Sequence, residues 1–364
     1  MRFFNYLAIG CLALISLAAQ AETVSGLYQV REPVVGEGAE ARTQATAKAV
    51  ETLVLRLTGD PKAAQSPALA ALRKDPQQII SQFGFEAGPP ETVLVEFDPG
   101  TTDRTLRKAG LALWGSNRPS ILGWWLSDSV EGSSLVGDGH SGAGPLRRAA
   151  QHRGLPLRLP LADLQEQLVA NAKQLESKDP APLREASDRY NADALLAVHA
   201  SEADGKWQGK WQLWLGDQRE QGTAEGADQA ALADAVMLAV STRLAPRFVT
   251  RPGASSDLQV QVQGMNLARY AELGRVLEPY GARLQQAEGD TLVYKVTGNA
   301  DQLRAQLGLA KLQELPPEQA PAVPPTPAPA PAPATTGAPG GAGAAGEPAQ
   351  PPAPAPFNGL RFRW

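Results

Sequence analysis

The chain has 364 residues, with 34 Lys and Arg against 38 Asp and Glu and a net charge of −4. Its basic residues are scattered, never clustered among aromatics, which excludes a nucleic-acid binder; that function needs a basic face to neutralise phosphates. The single cysteine, Cys11, excludes any disulfide within the chain.

The first 21 residues read as a secretory signal peptide. Arg2 gives the basic start, Leu7 to Ala18 the apolar stretch, and Ala19-Gln20-Ala21 the cleavage site. Cleavage after Ala21 starts the mature chain at Glu22 in the periplasm. It also removes Cys11, so no thiol nucleophile survives. A rival reading makes Ala8-Ile9-Gly10-Cys11 a lipobox with Cys11 lipidated, but that strands the apolar run Leu12 to Ala19 downstream of the modified residue. Crossing a bilayer takes about 20 apolar residues. No later segment approaches that, so the mature chain is expected to be soluble, without a transmembrane segment.

An N-terminal α+β domain is expected over 22–117. Val24 to Arg31 suggests a strand, and Val50, Leu53, Val54 and Leu57 recur at helical spacing within a helix from about Glu37 to Leu57. Thr58-Gly59-Asp60-Pro61 ends it, with Gly59 suited to the left-handed position. Thr92 to Phe97 is β-rich, and Thr101 or Thr102 can cap a helix running to Leu113.

A central α/β domain is expected over 118–250. Ser120 to Ser127 (SILGWWLS) is an apolar run suited to a strand buried on both faces. A loop over Glu131 to Gly144 precedes a helix from Pro145. Helical patterns follow through Leu161, Leu164, Leu168 and Val169, and again over Leu183 to Tyr190. Ala192 to His199 is a second buried strand. Trp207 to Leu215 alternates, with Trp207, Trp211, Leu213 and Leu215 opposite Gln208, Lys210, Gln212 and Trp214. Ala230 to Leu244 forms an amphipathic helix stopped by Pro246.

Residues 255–315 carry the order β-α-β-β-α-(β), the split βαβ or ferredoxin-like pattern. The fold class is thus α+β / α/β, built of small mixed-sheet domains. From 316 to 356 the composition collapses to Pro, Ala and Gly, expected as a disordered, extended linker. The motif 357–364 ends Leu360-Arg361-Phe362-Arg363-Trp364, which alternates apolar and basic.

The sequence resembles an uncharacterised bacterial exported family, the domain of unknown function numbered 2066. The resemblance lies in Leu27-Tyr28-Gln29-Val30, Leu55-Arg56-Leu57-Thr58-Gly59, Pro119 to Trp125, Arg189 to Leu196 and the Trp207 to Leu215 strand. It implies a Gram-negative envelope origin and supplies no functional residues.

No catalytic, metal or cofactor-binding residues are assigned. Gly137-Asp138-Gly139-His140-Ser141-Gly142 spells G-x-G-x-x-G, but the preceding strand is expected to end near Ser127, too early for a dinucleotide turn. His140, His152 and His199 share no metal-ligand spacing, no G-x-S-x-G elbow exists, and Asp188 and Asp193 are too isolated for a glycosidase pair. Trp124, Trp125, Trp207, Trp211 and Trp214 are expected to fill a core, with Trp214 either under a helix or exposed. Leu360, Phe362 and Trp364 are the candidate partner-binding residues. An alternating strand on a tether suits addition to a sheet edge, either on an envelope protein or on the chain's own third unit. The expected function is a non-enzymatic periplasmic binding or accessory protein acting through protein–protein contacts. The alternative is an envelope hydrolase or glycan-binding module using the cleft between the first two domains, with His199 or the loop at His140.

Overall fold

The computed structural model describes residues 22–24, 26–88, 90–249, 256–316, 357 and 359–364. The expected signal peptide and most of the Pro/Ala/Gly run lie outside the described residues. The fold is mixed α+β with several small sheets.

The first unit comprises β1 (Glu22–Thr23), β2 (Gln29–Pro33), α1 (Gly38–Thr58), α2 (Ala70–Lys74), β3 (Ile80–Glu86), β4 (Thr92–Phe97), α3 (Pro99–Lys108) and β5 (Asn117–Arg118). Strands β2, β4 and β3 form an antiparallel sheet in that order, and β1 pairs with β5. Apolar residues of α1, among them Ala49, Leu53 and Leu57, share a core with Val30, Val93, Val95 and Phe97. Gly59 adopts φ +65° and its N–H reaches the Leu55 carbonyl at 2.7 Å, the expected helix stop. The first long strand begins at Gln29, later than expected. Helix α3 is capped by Asp98, not by a threonine: the carboxylate accepts the Thr101 N–H at 2.7 Å, with Pro99 in the first turn. It ends at Lys108, short of Leu113. Strand β3 carries no clear strand pattern in the sequence. Its alternate apolar positions stay exposed, and Gly84 interrupts the run.

The central unit comprises β6 (Ile121–Ser129), β7 (Gly132–Leu135), α4 (Ala143–Arg153), β8 (Leu157–Arg158), α5 (Leu164–Val169), α6 (Ala172–Leu175), α7 (Ala181–Ser187), β9 (Ala194–Ala203), β10 (Lys206–Leu215), β11 (Gln218–Gly226) and α8 (Gln229–Phe248). The sheet order is β11-β10-β9-β6-β7, with β8 also beside β6. Strand β6 runs parallel to β8 and β9, and its apolar run is buried on both faces, with Ile121 and Trp125 in one core and Leu122, Trp124 and Leu126 in another. On one face Trp125, Trp207, Trp211 and Leu213 join Leu146, Leu232 and Val236 from α4 and α8. On the other, Trp124 and Trp214 join Leu175 and Leu183 from α6 and α7. All five candidate tryptophans are core, and Trp214 lies under helices. Helix α8 continues past Pro246 because Phe248 is buried and stacks on Trp114, with centroids 5.7 Å apart and planes at 9°. Pro246 costs little in the last turn, where a helix is ending anyway.

The third unit comprises β12 (Ser256–Gln263), α9 (Leu267–Leu277), β13 (Arg283–Glu288), β14 (Thr291–Gly298), α10 (Ala300–Leu309), β15 (Gln313–Glu314) and β16 (Leu360–Arg363). Asn299 caps α10, accepting the Asp301 N–H at 2.8 Å. The sheet order is β13-β14-β12-β16-β15. A ferredoxin-like sheet would place β15 directly beside β12. Here the C-terminal strand stands between them.

Buried arginines join the first two units. Arg118 donates to the carbonyls of Arg56 (2.7 Å), Trp114 (3.0 Å), Gly115 (3.0 Å), Gly154 (3.1 Å) and Arg153 (3.2 Å), with its guanidinium 4.2 Å from the Trp114 ring. Burial, with Arg56 close by, pushes its pKa down to about 9. The third unit is tied on through Gln302 Nε2 to the Phe248 carbonyl at 3.3 Å and Lys311 to Asp193 at 3.4 Å.

Candidate functional site: a strand slot filled by the chain's own C-terminus

Strand β16 lies parallel to β12, with Leu360 beside Val260 and Phe362 beside Val262. It lies antiparallel to β15, with Phe362 opposite Glu314 and Arg363 opposite Gln313. The Leu315 N–H donates to the Arg361 carbonyl at 2.8 Å, and the Trp364 N–H to the Gln263 carbonyl at 3.2 Å. Every second side chain turns inward. Phe362 is 1 % exposed and packs with Val262, Leu273, Leu303 and Leu307, while Leu360 and Trp364 pack at the margins of that core. Arg361 Nε donates to Gln261 Oε1 at 2.9 Å on the outward face, and Arg269 stands 5.7 Å from the Trp364 ring. Gly359 lets the chain enter beside β12, since a Cβ there would sit 2.4 Å from the Gln259 carbonyl.

The structure thus brings Leu360, Phe362 and Trp364 together on one sheet, and that sheet is the chain's own. Of the two dockings open from the sequence, these residues occupy the intramolecular one, inserted inside the sheet instead of at its edge. The physical reason is register. Strand β12 offers Val260 and Val262 to the same face on which the tail offers Leu360 and Phe362.

The linkage is unusual. Leu315 and Arg361 are hydrogen-bonded neighbours, and antiparallel partners need only a hairpin loop of about 2–5 residues. Here 45 residues, 316 to 360, intervene. Closing so long a loop costs about 2 kcal/mol more than closing a four-residue one.

The cleft between the first two units has a volume of about 520 Å³ and is lined in part by Arg31, Glu32, Lys48, Arg148, His152 and Asp234. His152, not His140 or His199, is the histidine found there. Its Nε2 lies 2.7 Å from Glu32 Oε1, and the Thr52 hydroxyl donates to that same oxygen. Burial pushes the Glu32 carboxyl up, but its hydrogen bonds with His152 and Thr52, with Lys48 at 3.9 Å, outweigh this and leave it below the usual glutamate range. Here the carboxylate is central and both other groups rest on it. A nucleophile relay needs the imidazole in the middle.

His199 lies elsewhere on the central sheet, its Nε2 2.6 Å from Asp128 and its Nδ1 2.7 Å from Glu176, which also holds Lys210 at 2.9 Å. His140 turns into its own loop, accepting the Gly142 N–H at 3.0 Å. That loop follows β7 and precedes α4, so a strand does end just before Gly137, contrary to the sequence expectation. Strand β7 is antiparallel to β6 and at the sheet edge, whereas a dinucleotide turn follows a parallel strand. Asp193 accepts the Ser120 N–H at 2.9 Å and serves the fold.

The model of a family described as a domain of unknown function (DUF8605) matches residues 21–115. The matching uncharacterised family is therefore not the one numbered 2066, and it covers the first unit. No curated protein and no solved structure matches the chain. Among the described residues no helix is long and apolar enough to cross a membrane, and no group of three or more His, Cys, Asp or Glu could hold a metal ion.

Proposed function

We propose that this is a non-enzymatic periplasmic binding protein of the Gram-negative envelope, acting through protein–protein contacts, with the third unit as its strand-receiving module. One observation carries the reading: a terminal strand on a 45-residue tether fills an internal position of a sheet whose β15 has no other strand partner among the described residues. A strand held this way can be replaced by another of the same pattern, apolar-x-Phe-x-Trp, because main-chain bonds supply binding and the inward side chains supply selection. The tether keeps the chain's own strand at an effective concentration of about 1 mM. An incoming strand must therefore bind more tightly or arrive at high local concentration. The signal-like leader supports the compartment.

The test compares the full chain with one ending at Pro356. A labelled peptide of sequence Phe357 to Trp364 is titrated into each, with anisotropy as the readout. Saturable binding to the shortened chain, weakened in the full chain and lost when the peptide carries Phe362→Ala, supports a strand receiver. No binding by a shortened chain whose circular dichroism is otherwise intact overturns it.

A further inference from the structure

Strand β3 is an open edge. Among the described residues its only strand neighbour is β4, and its other side pairs with nothing. Cross-strand partners share a face of the sheet, so two rows can be followed outward from the core. In one, Val30 and Val95 are each 0 % exposed, and the third member, Phe83, is 54 % exposed. In the other, Glu32 is 1 % and Val93 0 % exposed, while Phe85 is 39 %. The core face of the first unit therefore runs out from under α1 and ends in two aromatic rings. They pack edge to face, with centroids 6.2 Å apart, and Arg42 from α1 stands 4.7 Å from the Phe85 ring.

Natural sheets blunt exposed edges with lysine, proline or inward-pointing charge. From Ile80 to Phe85 this strand carries none of them; its one irregularity, between Ile80 and Gln82, lies at its start and leaves Phe83 to Glu86 in regular register, and Glu86 is its only charge. Aligned antiparallel with itself about Gly84, the strand is self-complementary. Phe83 of each copy then faces Phe85 of the other, Gln82 faces Glu86, and no like charges meet. Gly84 faces itself, and a side chain built there would meet nothing within 4 Å. Aromatic cross-strand pairs of this kind stabilise sheets.

We infer that β3 is the interface of a two-fold symmetric homodimer, in which two three-stranded sheets join edge to edge through β3 and the Phe83 and Phe85 rings of both copies interlock. The occupant is a second copy of this chain, because an isologous contact requires one surface patch to match itself, and this strand does. The inference is independent of the strand slot in the third unit.

Sedimentation velocity on the full chain from 1 to 100 µM tests it. A shift to twice the monomer mass is expected, and Phe83→Lys at this half-exposed position should raise the dissociation constant at least tenfold with an unchanged circular dichroism spectrum. A cysteine scan fixes the register on a Cys11→Ser background. Gly84→Cys should give an oxidised covalent dimer, whereas Phe83→Cys, two positions off its own copy, should give little, since a disulfide tolerates only about 4.4–6.8 Å between Cα atoms. The chain ending at Pro356 should dimerise equally well, which separates this contact from any exchange of β16. A wild-type chain that stays monomeric to 100 µM, or a dimer indifferent to Phe83→Lys, overturns the inference.

Discussion

Gly59 shows how one residue can answer to two constraints. Its φ of +65° closes α1, and a Cβ in its place would lie 2.0 Å from the Cβ of Ala245 on α8. The first constraint is readable from Thr58-Gly59-Asp60-Pro61. The second is not, because Ala245 lies far along the chain. Gly59→Ala should therefore cost more than the roughly 1 kcal/mol of a left-handed penalty alone, about 2–4 kcal/mol once overpacking against α8 is added. Urea midpoints read this directly, and a loss of only about 1 kcal/mol would mean that α8 yields freely. Phe362→Ala empties a buried aromatic site and should lower the stability of the third unit by about 3–5 kcal/mol. Amide exchange along the β12–β14 ladder provides a local readout. The roles of Arg56 and Arg118 are not legible in the sequence for a related reason. Their partners are carbonyl oxygens, which leave no mark in side-chain identity.

At the level of elements, legibility followed burial. The runs over β6 and β9 and the helices α1, α8, α9 and α10 were readable because each buries a continuous or periodic apolar face. Strands β3, β7 and β11 were missed. Strand β11 is Gln218 to Gly226, largely polar with no residue fully buried, and is held mainly by its ladder to β10, with Ala224 at the margin of the core. The terminal strand was recognised from its alternation, yet its place was not, because parallel pairing with β12 depends on a partner about 100 residues away. Placement also turns on Gly359, because a Cβ there would lie 2.4 Å from the Gln259 carbonyl. Gly359→Val should expel β16 while leaving β12 to β14 intact. Hydrogen exchange should then show the Arg361 and Arg363 amides losing protection by tenfold or more while those of β14 keep theirs. Unchanged protection would mean that the slot adjusts to the added side chain.

Across the whole molecule, two imidazole–carboxylate pairs set opposite limits on stability with pH. Glu32 reaches His152 from the first unit to the second, and its folded pKa is held below the usual glutamate value. Its contribution is present above the unfolded value of about 4.3 and disappears as pH falls through the lower folded value. His199 behaves the other way. Burial lowers its pKa, but the hydrogen bonds to Glu176 and Asp128 and the charges of both carboxylates outweigh this and raise it. The stability it adds is complete below the unfolded value of about 6.5 and fades as pH rises through the higher folded one. Lys210, also held by Glu176, keeps one cation in that cluster when His199 loses its proton. Thermal midpoints should therefore peak between about pH 4.5 and 6.5, with Glu32 acting on the acid side beside other carboxyls held low, Asp128 and Glu176 among them, and His199 on the upper side. Glu32→Gln should shallow the acid limb and leave the upper limb alone, whereas His199→Gln should flatten the upper limb and also shallow the acid limb, because Asp128 and Glu176 lose the bonds that help hold their carboxyls low. An upper limb that survives His199→Gln would assign the loss to another group and leave the Asp128–His199–Glu176 bridge without a part in holding β6, β9 and α6 together.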